Sequence, residues 1–201
     1  MLGALFRTIS RPKAKGPSGK AQITGPVRLH IGGKTRHPDW KVLNVVPGPD
    51  VDFVGNCTDL SQFADASVSE IYASHVLEHL SYQSELPGSL SGFLGVLLPG
   101  GVLRVSVPDL STLCTLFTDP ALPPQMRFHV MRMMYGGQVD ASDFHRVGLS
   151  EDFLRAFLVN AGFSDIERVQ DHGLFDDTSR LVFEGRLISL NMIARKPVAA
   201  G

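Results

Sequence analysis

The segment His75-Val76-Leu77-Glu78-His79 places two imidazoles and a carboxylate within one short stretch. His-x-x-Glu-His is the inverted zinc-peptidase pattern, in which two histidines share a helical face and hold the metal. That chemistry needs a long helix around the motif and a third ligand. Here Glu70–Ser74 reads as a strand, and Pro87-Gly88 follows soon after. A zinc hydrolase built on His75, Glu78 and His79 is therefore the lesser reading. A second group is His145-Arg146, which follows Asp140–Asp143 in a loop. A histidine, with its ordinary pKa of ~6.5, can take a proton from an oxygen or nitrogen nucleophile. Arg146 can pair with an anionic substrate group. A third group is Leu29-His30-Ile31-Gly32-Gly33-Lys34, where two glycines after a strand let backbone approach a ligand closely. Neither the G-x-G-x-x-G fingerprint nor a P-loop occurs.

The elements that must carry these groups alternate. Strands are expected at Val27–Ile31, Lys41–Val46, Val51–Val54, Glu70–Ser74, Val102–Val107, Ile166–Val169 and Leu187–Ala194. Helices are expected at Leu86–Leu98, Ser111–Thr118, Pro124–Met134 and Glu151–Ala161. Ser150 serves the last helix as N-cap and Gly162 as C′ residue. Interleaved strands and helices predict an α/β sheet with a parallel core, which binds ligands at the carboxyl ends of its strands. Asp109 falls just beyond one such end. It is either a site residue or the cap of the next helix.

Charge and cysteine usage bound the class. Net charge is −1, yet eight of the nineteen basic residues precede Asp39 and no acid does. The remaining eleven face twenty acids, a net of −9. An acidic body argues against a nucleic-acid partner, since phosphate contacts need clustered Lys and Arg. Residues 1–26 read as a flexible basic tail ahead of a domain at 27–201. The apolar spacing within residues 1–20 leaves weak contact with a membrane surface or a protein open. The two cysteines, Cys57 and Cys114, read as free thiols in a reducing cytosol, so a cytoplasmic location is expected.

Three segments together, the Gly32-Gly33 loop, Ser74-His75-Val76-Leu77-Glu78-His79, and Leu97-Leu98-Pro99-Gly100-Gly101 before the fifth strand, resemble the class I S-adenosylmethionine-dependent methyltransferases. The resemblance is closest to a small type 11-like branch and covers roughly residues 27–195. It implies a Rossmann-like three-layer sandwich with a mostly parallel seven-stranded sheet and a C-terminal antiparallel hairpin. It implies S-adenosylmethionine as cofactor and methyl transfer to a small-molecule, sugar or lipid-linked acceptor. Carried over by position, cofactor contacts fall on Gly32, Gly33, Asn44, Asn56, Cys57, Thr58, Asp59, Leu60, Ser74 and His75. His79, His145 and Asp109 become the catalytic candidates, and Arg146 and His37 the substrate-binding ones. The resemblance accounts for His75–His79 without a metal. Two positions depart from the family pattern, because Asn44 and Asn56 stand where acids are common. A neutral amide bonds a ribose diol less strongly than a carboxylate does. Asn44→Asp is therefore expected to tighten cofactor binding. The same departures motivate an alternative, a non-catalytic scaffold of the same fold. Only Lys34–Trp40 separates the glycine loop from the second strand, too short for the usual crossover helix.

Overall fold

A computed structural model describes residues 25–198. The expected basic tail lies almost wholly outside the described residues. The strands are β1 (Val27–Ile31), β2 (Lys41–Asn44), β3 (Phe53–Val54), β4 (Val68–Ser74), β5 (Leu97–Pro108), β6 (Ser164–Val169), β7 (Val182–Phe183), β8 (Arg186–Leu187) and β9 (Ser189–Arg195). The helices are α1 (Glu85–Val96), α2 (Leu110–Thr118), α3 (Pro124–Tyr135) and α4 (Glu151–Ala161). Seven strands form one sheet in the order β3-β2-β1-β4-β5-β9-β6, and β7 and β8 form a separate small hairpin. Strands β1 to β5 pair in parallel, and β9 runs antiparallel to both β5 and β6. The fold is Rossmann-like. Strand order reverses between β1 and β4, so a crevice opens there at the carboxyl edge.

One face of the sheet is apolar because β1, β4, β5 and β9 alternate strictly. Leu29, Ile31, Ile71, Ala73, Leu103, Val105, Leu190 and Met192 pack against Leu86, Leu90 and Phe93 of α1 and Leu154 and Leu158 of α4. The helical residues recur at three- and four-residue spacing, which places them on one stripe. Each fully buried leucine contributes roughly 1.5–3 kcal/mol. A smaller core of Leu113, Leu116, Val130 and Ile188 joins α2 and α3 to the β7–β8 region.

The other face differs from a helix-covered sheet. Residues 32–67, which make the first three crossovers, contain no helix. Trp40, 3% exposed, and Phe175 fill the space instead. Phe175 stacks on His30 at 4.2 Å and on Tyr72 at 4.8 Å, and Trp40 meets it edge-on at 5.6 Å. The Tyr72 hydroxyl donates to Asp177 at 2.8 Å, tying the loop after β6 to mid-sheet. Farther along this face Glu70 takes charge contacts from Arg28 and Arg104.

Several expected boundaries move, among them the end of β2 at Asn44 instead of Val46 and the split of Leu187–Ala194 into β8 and β9, and two others show their physical reason plainly. The expected helix to Leu98 stops at Val96, and β5 begins at Leu97, paired to Val68. The Pro99-Gly100-Gly101 turn becomes a bulge in that strand. Gly100 has φ +75°, and a Cβ on Gly101 would lie 2.7 Å from the Leu98 carbonyl oxygen. Strand three shrinks to Phe53–Val54, because Asp52 turns its carboxylate onto the Val42 N–H and the Lys41 ammonium.

The buried His30 gives a pH test. Desolvation holds its pKa down at about 4, from an ordinary 6.5. The unfolded chain therefore binds this proton more readily than the folded one. The stability it preserves is complete above pH ~6.5 and is lost as pH falls toward 4. Denaturant unfolding at pH 7.5 and 4.5 should show a drop to which His30 contributes on the order of 2–3 kcal/mol. His30→Gln should flatten that part of the slope, and an unchanged slope would contradict this account.

Candidate functional site

The carboxyl ends of β1 to β4 open into a cleft of about 680 Å³. Its floor comes from Ile31 at the end of β1 with Gly32 and Lys34 beyond it, Leu43–Val46 around the end of β2, and Gly55–Cys57 after β3. His75, Val76, His79 and Leu80, after β4, form one wall. The loop Val139–Phe144 with Arg146 and Glu85 closes the front. Gly32 is required by geometry. Its φ is +78°, its N–H donates to the Leu43 carbonyl, and an added Cβ would lie 2.7 Å from Val76 Cγ2.

Of the residues expected from sequence to contact the cofactor, Gly32, Asn44, Asn56, Cys57 and His75 line this cleft. The others do not. Gly33 turns against His30, where a Cβ would come within 2.6 Å of Nδ1. Leu60 is in the core, and Thr58 and Asp59 sit in the exposed turn before it. Ser74, two residues beyond Tyr72 on β4, shares that ring's face of the sheet. Asn44 is tied inward: Nδ2 donates to the Gly33 carbonyl at 2.9 Å, and Oδ1 accepts from the Val46 N–H at 2.9 Å. Asn56 Oδ1 accepts from the Thr58 N–H. Burial pushes the Cys57 thiol up to about 11, so it is a neutral cleft wall and no nucleophile.

Two further expectations find other placements. Asp109 does not enter the cleft. It is 1% exposed, caps α2 through the Ser111 and Thr112 N–H groups, and pairs with Arg168 at 2.8 Å. Its capping reading is the one the structure supports. His37 lies on the other side of the first loop, in a tight turn with Trp40 and edge-on to Phe175 at 5.5 Å.

The His75–His79 segment also departs from its motif. No helix carries it. His75 follows β4 with φ +53°, and Leu77–His79 forms one 3-10 turn. The shared helical face of the zinc-peptidase reading is therefore absent. A non-glycine residue held at positive φ is costly and tends to mark functional turns. His75 is pinned on three sides. Its N–H donates to the Ser106 carbonyl at 2.8 Å, Nε2 meets Ser189 Oγ at 2.9 Å, and Nδ1 lies 3.1 Å from Glu78 Oε1. Ser189 Oγ itself donates to the Thr178 carbonyl, so it accepts from His75 and Nε2 carries a proton.

A second cavity of about 240 Å³ adjoins the first, and both share His75. His129, Arg132, Met133, Gly136, His145 and Leu181 line it. His145 and His79 face each other with ring centroids 4.9 Å apart. Burial, the largest influence on His145, lowers its pKa. Arg146 reaches the cleft and pairs with Glu85 at 3.2 Å. Glu78, singled out by sequence only as part of the zinc motif, is 1% exposed, and the Asp140–Asp143 loop extends as a cleft wall over Val139–Phe144. Its place before the Ser150-headed helix is the signal that brings this loop to the carboxyl edge of the sheet.

The strand order and the helix-free first loop can now be set beside known proteins. No family model matches the sequence, and no curated protein does. Solved structures do. The chain is similar to a S-adenosylmethionine-dependent methyltransferase from Archaeoglobus fulgidus (TM-score 0.53, 15% identity, 86% of each chain covered). It is also similar to the 1,6-didemethyltoxoflavin N1-methyltransferase of Burkholderia thailandensis, whose structure holds its substrate and S-adenosylhomocysteine. There the TM-score is 0.51 at 18% identity, over 86% of this chain and 72% of that one. A third match is a chain from Bordetella parapertussis described as a possible exported protein (TM-score 0.54, 12% identity). It spans 88% of this chain, which covers 63% of its length. The fold is the class I methyltransferase fold. Among the described residues no helix is long and apolar enough to cross a membrane.

The placement of Asp109 is testable. Asp109→Asn should remove the Arg168 pair and weaken the cap, lowering stability by about 1–2 kcal/mol in denaturant unfolding. Ligand affinity of the cleft should change less than twofold. A loss of ligand binding at unchanged stability would return Asp109 to the site.

Proposed function

We propose that this protein transfers a methyl group from S-adenosylmethionine to a small acceptor. The observation that carries the reading is the cleft at the strand-order reversal, floored by a glycine that has no room for a side chain. Its volume lies within the ~300–1,000 Å³ usual for small-molecule sites. The residues present fit the cofactor. Gly32 leaves backbone open beneath it, while Asn56 and the neutral Cys57 border it across the cleft. Lys34 supplies a cation at the mouth. When bound, the cofactor brings an electrophilic sulfonium methyl, so the protein's task is chiefly orientation.

The chain's own residues then divide the work. The turn at His75 separates the cofactor cleft from the second cavity, which we assign to the acceptor. Its mixed lining of Met133, Leu181, His129 and Arg132 suits a compact, partly apolar molecule with an anionic or polar group. His79 and His145 are the groups we place against the reacting oxygen or nitrogen. Arg146 orients the front loop through Glu85 and leaves donors toward the cleft. A cytoplasmic site of action and the small-molecule acceptor class belong to the same proposal.

The scaffold alternative has one specific observation in its favour. Asn44 spends its amide on the loop backbone, so β2 offers no carboxylate to a ribose. This changes the expectation for Asn44→Asp. A carboxylate there would face the Gly33 carbonyl and lose the 2.9 Å bond, so affinity should fall. Calorimetric titration with S-adenosylmethionine and S-adenosylhomocysteine should give micromolar binding of both. Asn44→Asp should weaken it about threefold or more. Gly32→Val should weaken it at least tenfold, with folding checked by thermal melt. No binding up to millimolar cofactor would overturn methyl transfer and favour the scaffold.

A further inference from the structure

Among the described residues, Glu78 is a buried acid with both carboxylate oxygens short of a hydrogen bond. Its carboxylate is buried, yet neither oxygen receives a hydrogen bond of good geometry. Oε1 has only the imidazole of His75 nearby, and Oε2 has no partner. A buried carboxylate whose single polar neighbour is one imidazole costs several kcal/mol unless it is compensated further. A cation held beside it would offset that cost.

Two imidazoles stand where that partner would be. One potential ligand atom from each of Glu78, His79 and His145 lies within 4.8 Å of the others. The grouping is built. The N–H of Arg146 donates to the Glu78 backbone carbonyl at 2.7 Å, which stitches the His145 loop beside the 3-10 turn. His79 Nδ1 lies 3.1 Å from the Phe144 carbonyl oxygen, an acceptor only, so Nδ1 carries the proton and Nε2 is the free lone pair. Metal-ligating histidines are oriented in this way, with the far nitrogen donating to a carbonyl.

We propose that Glu78, His79 and His145 form a binding site for one divalent first-row transition ion, of which zinc is the probe. Two imidazoles and one carboxylate suit such an ion and leave a coordination position open. Because His79 borders the cofactor cleft and His145 the second cavity, the ion lies between the two. On the methyl-transfer reading, on which this clause rests, the open position takes an oxygen of the acceptor. The two imidazoles then act on the acceptor's reacting atom through the ion they hold.

The test uses the full chain, dialysed against a chelator and without cofactor. Zn²⁺ is titrated against a chromophoric competitor, and Co²⁺ binding is followed by its visible absorption. One ion per chain at micromolar affinity or tighter is expected, with a Co²⁺ band of reduced-symmetry coordination. His145→Gln and Glu78→Gln should each weaken Zn²⁺ at least tenfold and abolish the band. If either variant melts early, His79→Gln carries the same comparison. Substoichiometric binding, or binding equal in the variants, assigns the ion to surface histidines and overturns the site. Tight zinc binding in a chain that binds no S-adenosylmethionine would uphold the metal site and defeat only the acceptor assignment.

Discussion

The turn at His75 is the constraint on which the rest of the site depends. Strand β4 is central, paired to β1 on one side and β5 on the other, so its exit direction is fixed by two ladders. At Ser74 the chain must leave the sheet without blocking the crevice beside β1. It does so by one residue at positive φ, locked by a backbone bond to Ser106 and side-chain contacts to Ser189 and Glu78. Ser106 and Ser189 lie on β5 and β9. The antiparallel ladder between those strands therefore holds the wall between the two cavities. Were the turn relaxed, Val76 would leave its place against Gly32, and the cleft floor would change with it.

Buried polar groups behind that turn make the arrangement specific. Ser106 Oγ bonds Asn191 Oδ1 at 2.6 Å, and Asn191 Nδ2 donates to the carbonyls of Gln170 and Ser179. A buried amide with these partners fixes where the loop after β6 returns to the sheet. That loop brings Phe175 and Asp177 over His30 and Tyr72. The face left open by the short first crossover is thus covered by rings and a carboxylate.

Much of the frame was legible in the sequence because its signals are local. Val27–Ile31 and Glu151–Ala161 match the expected strand and helix, since alternation and the Gly162 stop act within a few residues; Ser150 holds the N-cap position, but its hydroxyl donates to Asp152 instead of accepting a helix N–H. The missing first helix followed from the seven residues Lys34–Trp40. What was not legible depends on distant pairing. Asp109 was ambiguous until Arg168 on β6 arrived beside it. His37 read as a site residue because nothing nearby announces Phe175. Asn44 read as a weakened ribose ligand because the Gly33 carbonyl faces it only after β1 and β2 pair. The loop carrying His145 meets the Glu78 turn through the Arg146 N–H, a backbone bond that no periodicity encodes.

The central claim is that the cleft between β1, β2, β3 and β4 takes S-adenosyl ligands. Hydrogen–deuterium exchange with saturating S-adenosylhomocysteine tests it most directly. The account predicts slowed exchange at Gly32–Lys34, Asn44–Val46, Gly55–Cys57 and His75–Leu80, with the Phe175 loop unchanged. Protection confined to other surfaces, or none at saturation, would contradict it.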